Sequence, residues 1–473
     1  MFDILTPNEA ELIHQASLEI LEKIGARIHD NTILEVISEA GGFVDYSKEI
    51  VKVPPRLIEE AIDKAPKSIR LCGMNKSNDI ELLSGRTFFH SAGGNTHLID
   101  PQTRTVRLAV TGDLVRLVRL VDSLPVHVCE QIVFPSDVPP EIADLCAFDR
   151  MLRNTEKPLE VIAYSERNLE HMIQLAEIVT SGQLRNWPIL SIYVSPTSPL
   201  AFSADVLRQL STAAKTGLPI WLGPCPLAGA TSPVTLAGTV AQMNAECLIE
   251  NFVVQLLNPG NSVIASAFPC LMDMRTGRAA VGAVEAGLMC AAHVQVSRRY
   301  EIPTEALGFG TDSMVLDEQT GFEKAIVAMP AVLAGANLLG VTGAVESDVT
   351  VSYEQLVIDN EIYDMLIRAS RGIEVSQETL AINIIGRVGP SGHFLANKHT
   401  RKNLLTEQMM PKLCNRRSRP DWEKAGSKDI VSAAKERVEE LLTKHECNEL
   451  DPDVQRDLDK AMEKAKAELV QSN

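Results

Sequence analysis

The stretch Glu305-Ala306-Leu307-Gly308-Phe309-Gly310-Thr311-Asp312-Ser313-Met314-Val315-Leu316-Asp317-Glu318-Gln319 decides the fold. A short apolar run, Glu305–Phe309, reads as a buried strand. Gly308 and Gly310 permit close backbone approach, polar residues follow, and a helical segment running through Glu323 begins near Asp317. Strand, polar loop and helix thus succeed one another within a few residues. The same sequence of elements repeats outward in both directions. Strands are expected at Phe88–Ser91, His127–Phe134, Leu159–Tyr164, Ile189–Val194, Ile220–Leu222, Ser262–Ala267, Glu305–Phe309 and Asn337–Val341. Eight strand–helix units over about 260 residues match a (β/α)8 TIM barrel. A doubly wound open sheet is the alternative, but no strand is followed by GxGxxG or a Walker A loop.

Outside this repeat the composition changes. Residues 1–86 are expected to form a helical extension. Apolar residues recur at helical spacing from Ala10 to Ile24 up to a C-capping Gly25. Asp30-Asn31-Thr32 then caps a second helix, and Pro54-Pro55 starts a third. The barrel occupies 87–420. Beyond it, 421–473 holds two amphipathic helices, around Ile430–Leu442 and Val454–Leu469, dense in Glu and Lys. These helices suit packing on the barrel, a subunit contact or a partner, and a homo-oligomer is expected.

The formal charge of −17 repels nucleic-acid phosphates, so no nucleic-acid partner is expected, whereas a cationic substrate suits the overall field. Nine dispersed cysteines without zinc-type spacing read as a reducing, cytoplasmic setting, and the start Met1-Phe2-Asp3-Ile4 lacks the features of a signal peptide. Three long uncharged stretches, Thr216–Ala245, Phe252–Met272 and Ala325–Val345, are broken by turn chemistry and read as buried strands with their covering helices, so no membrane span is expected.

In a TIM barrel the loops after the strands form the catalytic face. On that criterion Asp312, at a strand end, and Glu346, in the block Gly343-Ala344-Val345-Glu346-Ser347-Asp348, are candidate catalytic carboxylates. Asp317 reads equally well as a helix N-cap. Asp359 and Glu361 lie in a helix expected over Tyr353–Arg368 and read as a solvated or subunit-contact face. His393 and His399 lack a third ligand, so no metal site is expected, and His393 suits a gate or packing role. No GxSxG elbow and no Cys beside a local His is present. Two further readings remain: a barrel hydrolase or lyase using Asp312 and Glu346 as an acid–base pair, and a non-catalytic amine sensor or scaffold.

The strand-seven block followed by Gly321-Phe322-Glu323, Ala334-Gly335-Ala336-Asn337, Asp359-Asn360-Glu361, Gly392-His393-Phe394-Leu395 and His399-Thr400 resembles the trimethylamine methyltransferase family in order and spacing. So do Glu407, Pro411, Arg416 or Arg417, Trp422 and Gly426 downstream, and Leu5, His14, Leu21-Glu22 and Gly25 at the start. The resemblance implies a TIM barrel, a methylated amine substrate, and a methyl acceptor that is the Co(I) corrinoid of a separate protein. The corrinoid is then a cofactor of that partner and is not held tightly by this chain. Founding family members carry pyrrolysine in the active site; here an ordinary residue, at or near Met314, stands at that position. That difference points to the non-pyrrolysine branch and to a quaternary amine of the glycine betaine, proline betaine or carnitine type, which already has a neutral leaving group. Such a substrate calls for π faces and carboxylates around a permanent cation. Tyr193, Trp221, Phe268 and Phe309 are the candidate aromatics. Asp312 and Glu346 are candidates for charge, and His90, Asn95 and Gln319 for a substrate carboxylate.

Overall fold

The computed structural model describes residues 3–82, 85–447 and 449–470. Its centre is a parallel barrel. Seven strands pair in the order Phe88–Ser91, Leu338–Thr342, Thr304–Leu307, Val263–Ala267, Ile220–Leu222, Leu190–Val194 and Leu159–Val161. Residues 127–133 fill the eighth position and close the ring: His127 N–H donates to Phe89 O at 2.8 Å, and Glu160 N–H donates to Cys129 O at 3.0 Å. Parallel bridges join His90 to Val128 and Cys129 to Leu159. Each strand position is followed by a helix: Thr111–Ser123, Ala143–Asn154, Glu166–Val179, Ala204–Thr216, Leu236–Leu257, Val284–Arg298, Glu318–Ala334 and Tyr353–Ser370. The chain is therefore a (β/α)8 barrel, as the spacing of apolar runs predicts.

The helix over Leu236–Leu257 is buried almost all round, which is why its sequence is apolar on every face apart from the buried Glu246 and Glu250 and a few uncharged polar residues. Among the described residues no helix is long and apolar enough to cross a membrane.

The N-terminal segment departs from the helical expectation. Helices Pro7–Glu19, Asn31–Glu39 and Pro55–Lys64 form, and the Asp30 side chain accepts from Ile33 N–H as its cap. Between them lie strands Ala26–Ile28, Phe43–Asp45 and Ile50–Lys52, in a small sheet completed by Ala201–Phe202. The first of these alternates buried, exposed, buried, a period-2 pattern too short to stand out beside the helical runs. A second hairpin, Ile69–Leu71 with Ile80–Leu82, plugs the barrel floor. Its four apolar residues pack with Phe88, Val128, Trp221, Ile264 and Leu338 in one buried cluster.

Helices Ile430–Lys444 and Pro452–Val470 pack on the outside of the barrel, the first against Thr111–Ser123 and Tyr353–Ser370, the second against Glu166–Val179. The segment between them is anchored by His445, whose Nε2 lies 2.7 Å from Asp122 Oδ2.

Candidate functional site

Side chains of a barrel strand alternate between the interior and the helix layer. Above the floor cluster, the next inward-facing residue of several strands is polar. His90 follows Phe88, Glu130 follows Val128, and Ser266 follows Ile264, while Glu160 and Glu305 sit at the centres of their own strands. A cavity of about 150 Å³ lies at the C-terminal end of the barrel, lined by His90, Glu130, Glu160, Glu305 and Asp348 together with Tyr193, Trp221 and Phe268. Gly93, Ile162 and Val341 complete the wall. An apolar cavity of about this volume holds a molecule the size of benzene.

The aromatic faces are fixed. Trp221 is buried, donates Nε1–H to Ser191 Oγ at 3.0 Å, and meets the His90 ring edge-on at 5.3 Å. Tyr193 donates its hydroxyl to Gly223 O at 3.0 Å and stands perpendicular to Phe268, with ring centroids 5.9 Å apart. A Cβ at Gly223 would collide with the Tyr193 ring, so glycine is required there for the tyrosine to lie flat in the wall.

The charged groups form one network. His90 is buried between two carboxylates: Nδ1 contacts Glu130 Oε1, and Nε2 lies 3.3 Å from Glu305 Oε1. Burial opposes the His90 cation, but Glu130 and then Glu305 outweigh it and hold its pKa well above the usual imidazole value. Ser266 Oγ donates to the other oxygen of Glu305. Burial pushes the carboxyls of Glu160 and Glu305 upward; for Glu160 the negative charge of Glu130 adds to the rise, and for Glu305 the His90 hydrogen bond offsets part of it. Asp348 is pushed up to about 7 by burial, with Lys324 opposing. Glu160 Oε1, Asp348 Oδ1 and Asn95 Oδ1 are buried without a hydrogen-bond partner among the described residues.

The loop after strand eight places Asp348. Glu346, Ser347 and Asp348 have φ of 56°, 53° and 66°, a left-handed turn that non-glycine residues adopt only when held. The loop after strand seven holds it. Glu346 N–H donates to Ser313 O at 2.8 Å, Ser347 N–H to Thr311 O at 2.9 Å, and Ser347 Oγ to Asp312 Oδ1 at 2.8 Å. Behind the turn, Lys324 and Asp359 form a fully buried ion pair of 2.9 Å, and Asp359 Oδ2 also accepts from Gly343 N–H at 2.7 Å.

The structure therefore brings together four of the residues singled out from sequence, His90, Tyr193, Trp221 and Phe268, and sets the others elsewhere. Asp312 does not line the cavity; its carboxylate accepts from Val281 N–H and Gly282 N–H as well as from Ser347, so it ties loops together. Glu346 accepts from Thr350 Oγ1 at 2.8 Å and also lies outside the lining. Met314 is half exposed on its loop. Phe309, two residues beyond its strand, is completely buried, 6.3 Å from the Phe89 ring and 6.0 Å from Lys324 Nζ, and does not line the cavity. Gln319 is occupied by Glu323, to which its Nε2 donates at 2.9 Å. Asn95 Nδ2 donates to the main-chain oxygen of Asp348 at 2.8 Å, so this residue buttresses the Asp348 turn. His393 is exposed in the segment after the eighth barrel helix and is not part of the cavity lining. Asp317 caps its helix by accepting from Thr320 N–H. Asp359 and Glu361 are buried rather than solvated, Glu361 accepting from the backbone N–H groups of Lys412, Leu413 and Cys414.

Glu130, Glu160, Glu305 and Asp348 were not reached by reading the loops. The available signal was a glutamate inside a strand otherwise buried on both faces, as in Leu159-Glu160-Val161 and Thr304-Glu305-Ala306-Leu307. A charge there is costly unless it is paired or functional.

A polar, aromatic-walled cavity at the C-terminal mouth of a (β/α)8 barrel defines a barrel enzyme. The sequence profile of the family described as trimethylamine methyltransferase (MTTB) matches residues 1–470. Trimethylamine methyltransferase MttB of Desulfitobacterium hafniense strain DCB-2 is 33% identical over 92% of this chain and 88% of its own length. Its counterpart from Methanosarcina barkeri strain Fusaro is 32% identical over 98% and 95%. A glycine betaine methyltransferase of D. hafniense strain Y51 is 28% identical over 96% and 95%. The chain belongs to the trimethylamine methyltransferase family and is a methyltransferase.

Proposed function

We propose that this enzyme moves a methyl group from a small quaternary amine to the Co(I) corrinoid of a partner protein. The observation that carries this reading is the composition of the cavity wall: three aromatic faces and four carboxylates surround the space, and among the described residues neither Lys nor Arg lines it. Such a wall favours a cation that needs no hydrogen bond, because ring quadrupoles and carboxylates both attract diffuse positive charge.

In this scheme Trp221, Tyr193 and Phe268 hold the N-methyl groups, and Glu130, Glu160, Glu305 and Asp348 supply the compensating field. The buried His90 links Glu130 to Glu305 and fixes both. Asn95, Asp312 and Glu346 act on the framework around Asp348 rather than on the substrate. One C–N bond breaks with its electron pair staying on nitrogen, which leaves as a neutral tertiary amine. Cobalt supplies the pair for the new Co–CH3 bond. No acid catalyst is needed at the departing nitrogen, and the enzyme contributes chiefly by aligning the methyl with the metal. The ordinary residue at the position the resemblance gives to pyrrolysine supports a substrate of this kind, and the glycine betaine methyltransferase among the relatives keeps betaines in the set to be tried.

The acid–base reading that used Asp312 and Glu346 loses support, since both carboxylates are spent on loop contacts. The test is to mix the enzyme with reduced corrinoid protein and a panel of quaternary amines, following loss of Co(I) absorbance and release of the demethylated amine. Cobalt methylation with at least one quaternary amine is expected. Turnover with trimethylamine and with none of the quaternary amines would overturn the proposal.

A further inference from the structure

We propose that the substrate's fourth nitrogen substituent is neutral and carries a hydroxyl, a quaternary amino alcohol of the choline class, and that a carboxylate arm is disfavoured. This rests on the quaternary-amine reading above and narrows it.

A betaine requires a partner for its own carboxylate, and the donors that sequence reading offered for it are all engaged. Both ring nitrogens of His90 face carboxylates, Glu130 on one side and Glu305 on the other. The Asn95 amide nitrogen donates to the main-chain oxygen of Asp348 and lies outside the lining. Gln319 is turned to Glu323 and lies outside the lining. Around the cavity four carboxyl groups stand against a single imidazole, and that imidazole is already paired with Glu130 and Glu305, so an anionic arm meets no free cation in the wall.

The unpartnered atoms point the same way. Glu160 is almost fully buried; it receives a hydrogen bond from the backbone of Tyr193, yet its Oε1 has no partner. Asp348 Oδ1, also in the lining, is likewise a buried acceptor lacking a donor among the described residues. Buried acceptors of this kind are normally satisfied. A hydroxyl supplies the missing proton, whereas an ionised carboxylate supplies none. Protonation of Glu160 or Asp348 would create a donor for an anionic arm, but a bound ammonium works against it by favouring the ionised carboxylates. Size does not separate the two classes, since both resemble in heavy-atom count the ligands that a cavity of about 150 Å³ accepts. Charge and hydrogen bonding do.

Calorimetric titration of the full chain at pH 7.5 with choline, tetramethylammonium and glycine betaine tests this directly, without the corrinoid protein. Choline is expected to bind about tenfold or more tightly than glycine betaine, with tetramethylammonium between them. Glu160→Gln replaces the acid with its unpartnered Oε1 by an amide whose NH2 group can donate to a carboxylate arm, with little change of shape, and should shrink the choline-to-betaine ratio several-fold. Glycine betaine binding as tightly as choline would overturn the inference while leaving the quaternary-amine reading intact. An unchanged ratio in the Glu160→Gln variant would remove its hydrogen-bonding basis. Failure of all three compounds to bind would overturn both.

Discussion

Replacing Lys324 by Met tests whether the buried Lys324–Asp359 pair holds the mouth of the barrel. Both side chains are fully buried and 2.9 Å apart. Removing one member of such a pair typically costs 3–5 kcal/mol, because the remaining charge is left without its counter-ion. Asp359 keeps two donors in the variant, Gly343 N–H and Gln355 Nε2–H, each at 2.7 Å. The loss should therefore fall at the lower end, about 3 kcal/mol at pH 7.5. For a chain of 473 residues the unfolding entropy is about 1 kcal/mol per degree, so the Tm should drop by about 3 °C. The pH dependence gives a second reading. Burial already raises the Asp359 carboxyl despite the lysine, and losing the lysine raises it further. A carboxyl raised in the folded state binds more protons folded than unfolded between the two pKa values, so stability falls as pH rises through that window. The deficit of the variant relative to the parent should accordingly be small near pH 4.5 and full at pH 7.5. Thermal unfolding at both pH values measures this, and Lys324→Met/Asp359→Leu should recover part of the loss at pH 7.5. A Lys324→Met protein as stable as the parent at pH 7.5, or equally destabilised at both pH values, refutes the argument that an uncompensated charge is responsible.

Three further outcomes follow from the site. Tetramethylammonium affinity should rise as pH increases through about 7, because the cation prefers ionised Asp348 and burial places that carboxyl at about 7; Asp348→Asn should flatten the profile, as measured by titration from pH 5.5 to 8.5. Gly340→Ala puts a methyl group 2.6 Å from His90 Cε1 and 2.8 Å from Glu305 Oε1. It should lower methyl transfer by about 100-fold, the scale of a misplacement of about 1 Å, while circular dichroism still reports a folded barrel. Asp317→Ala removes a helix cap and should cost about 1 kcal/mol in denaturant unfolding, with cation affinity unchanged.

The barrel was legible because its strands are short apolar runs separated by polar turns, a pattern that survives without any knowledge of tertiary contacts. The small strands near the N-terminus were not, since three-residue elements such as Ala26–Ile28 carry too few residues for a period to declare itself. The site was half legible for a different reason. Reading the loops pointed to the C-terminal end of the barrel, and of the residues that the family resemblance suggested, His90, Tyr193, Trp221 and Phe268 line the cavity there. It also selected Asp312 and Glu346 on the premise that a polar residue at a strand end faces the substrate. In the folded chain the loops after strands seven and eight satisfy one another, Thr311, Asp312 and Ser313 bonding the turn at Glu346 and Ser347, so their polarity is used in building the mouth. The carboxylates that line the cavity lie mostly one step inside, on Glu130, Glu160 and Glu305. There they break an otherwise apolar strand, and no loop geometry explains them. A loop aspartate has many inexpensive uses, as an N-cap or a turn former, whereas a glutamate in the interior of a barrel has few, because the desolvation of its charge must be offset by a partner or a ligand. The position of a charge within a strand is thus the stronger sequence signal in this fold. Read that way, Glu160 stands out before any coordinates are known, and its unpartnered Oε1 is the atom at which a bound substrate has most to contribute.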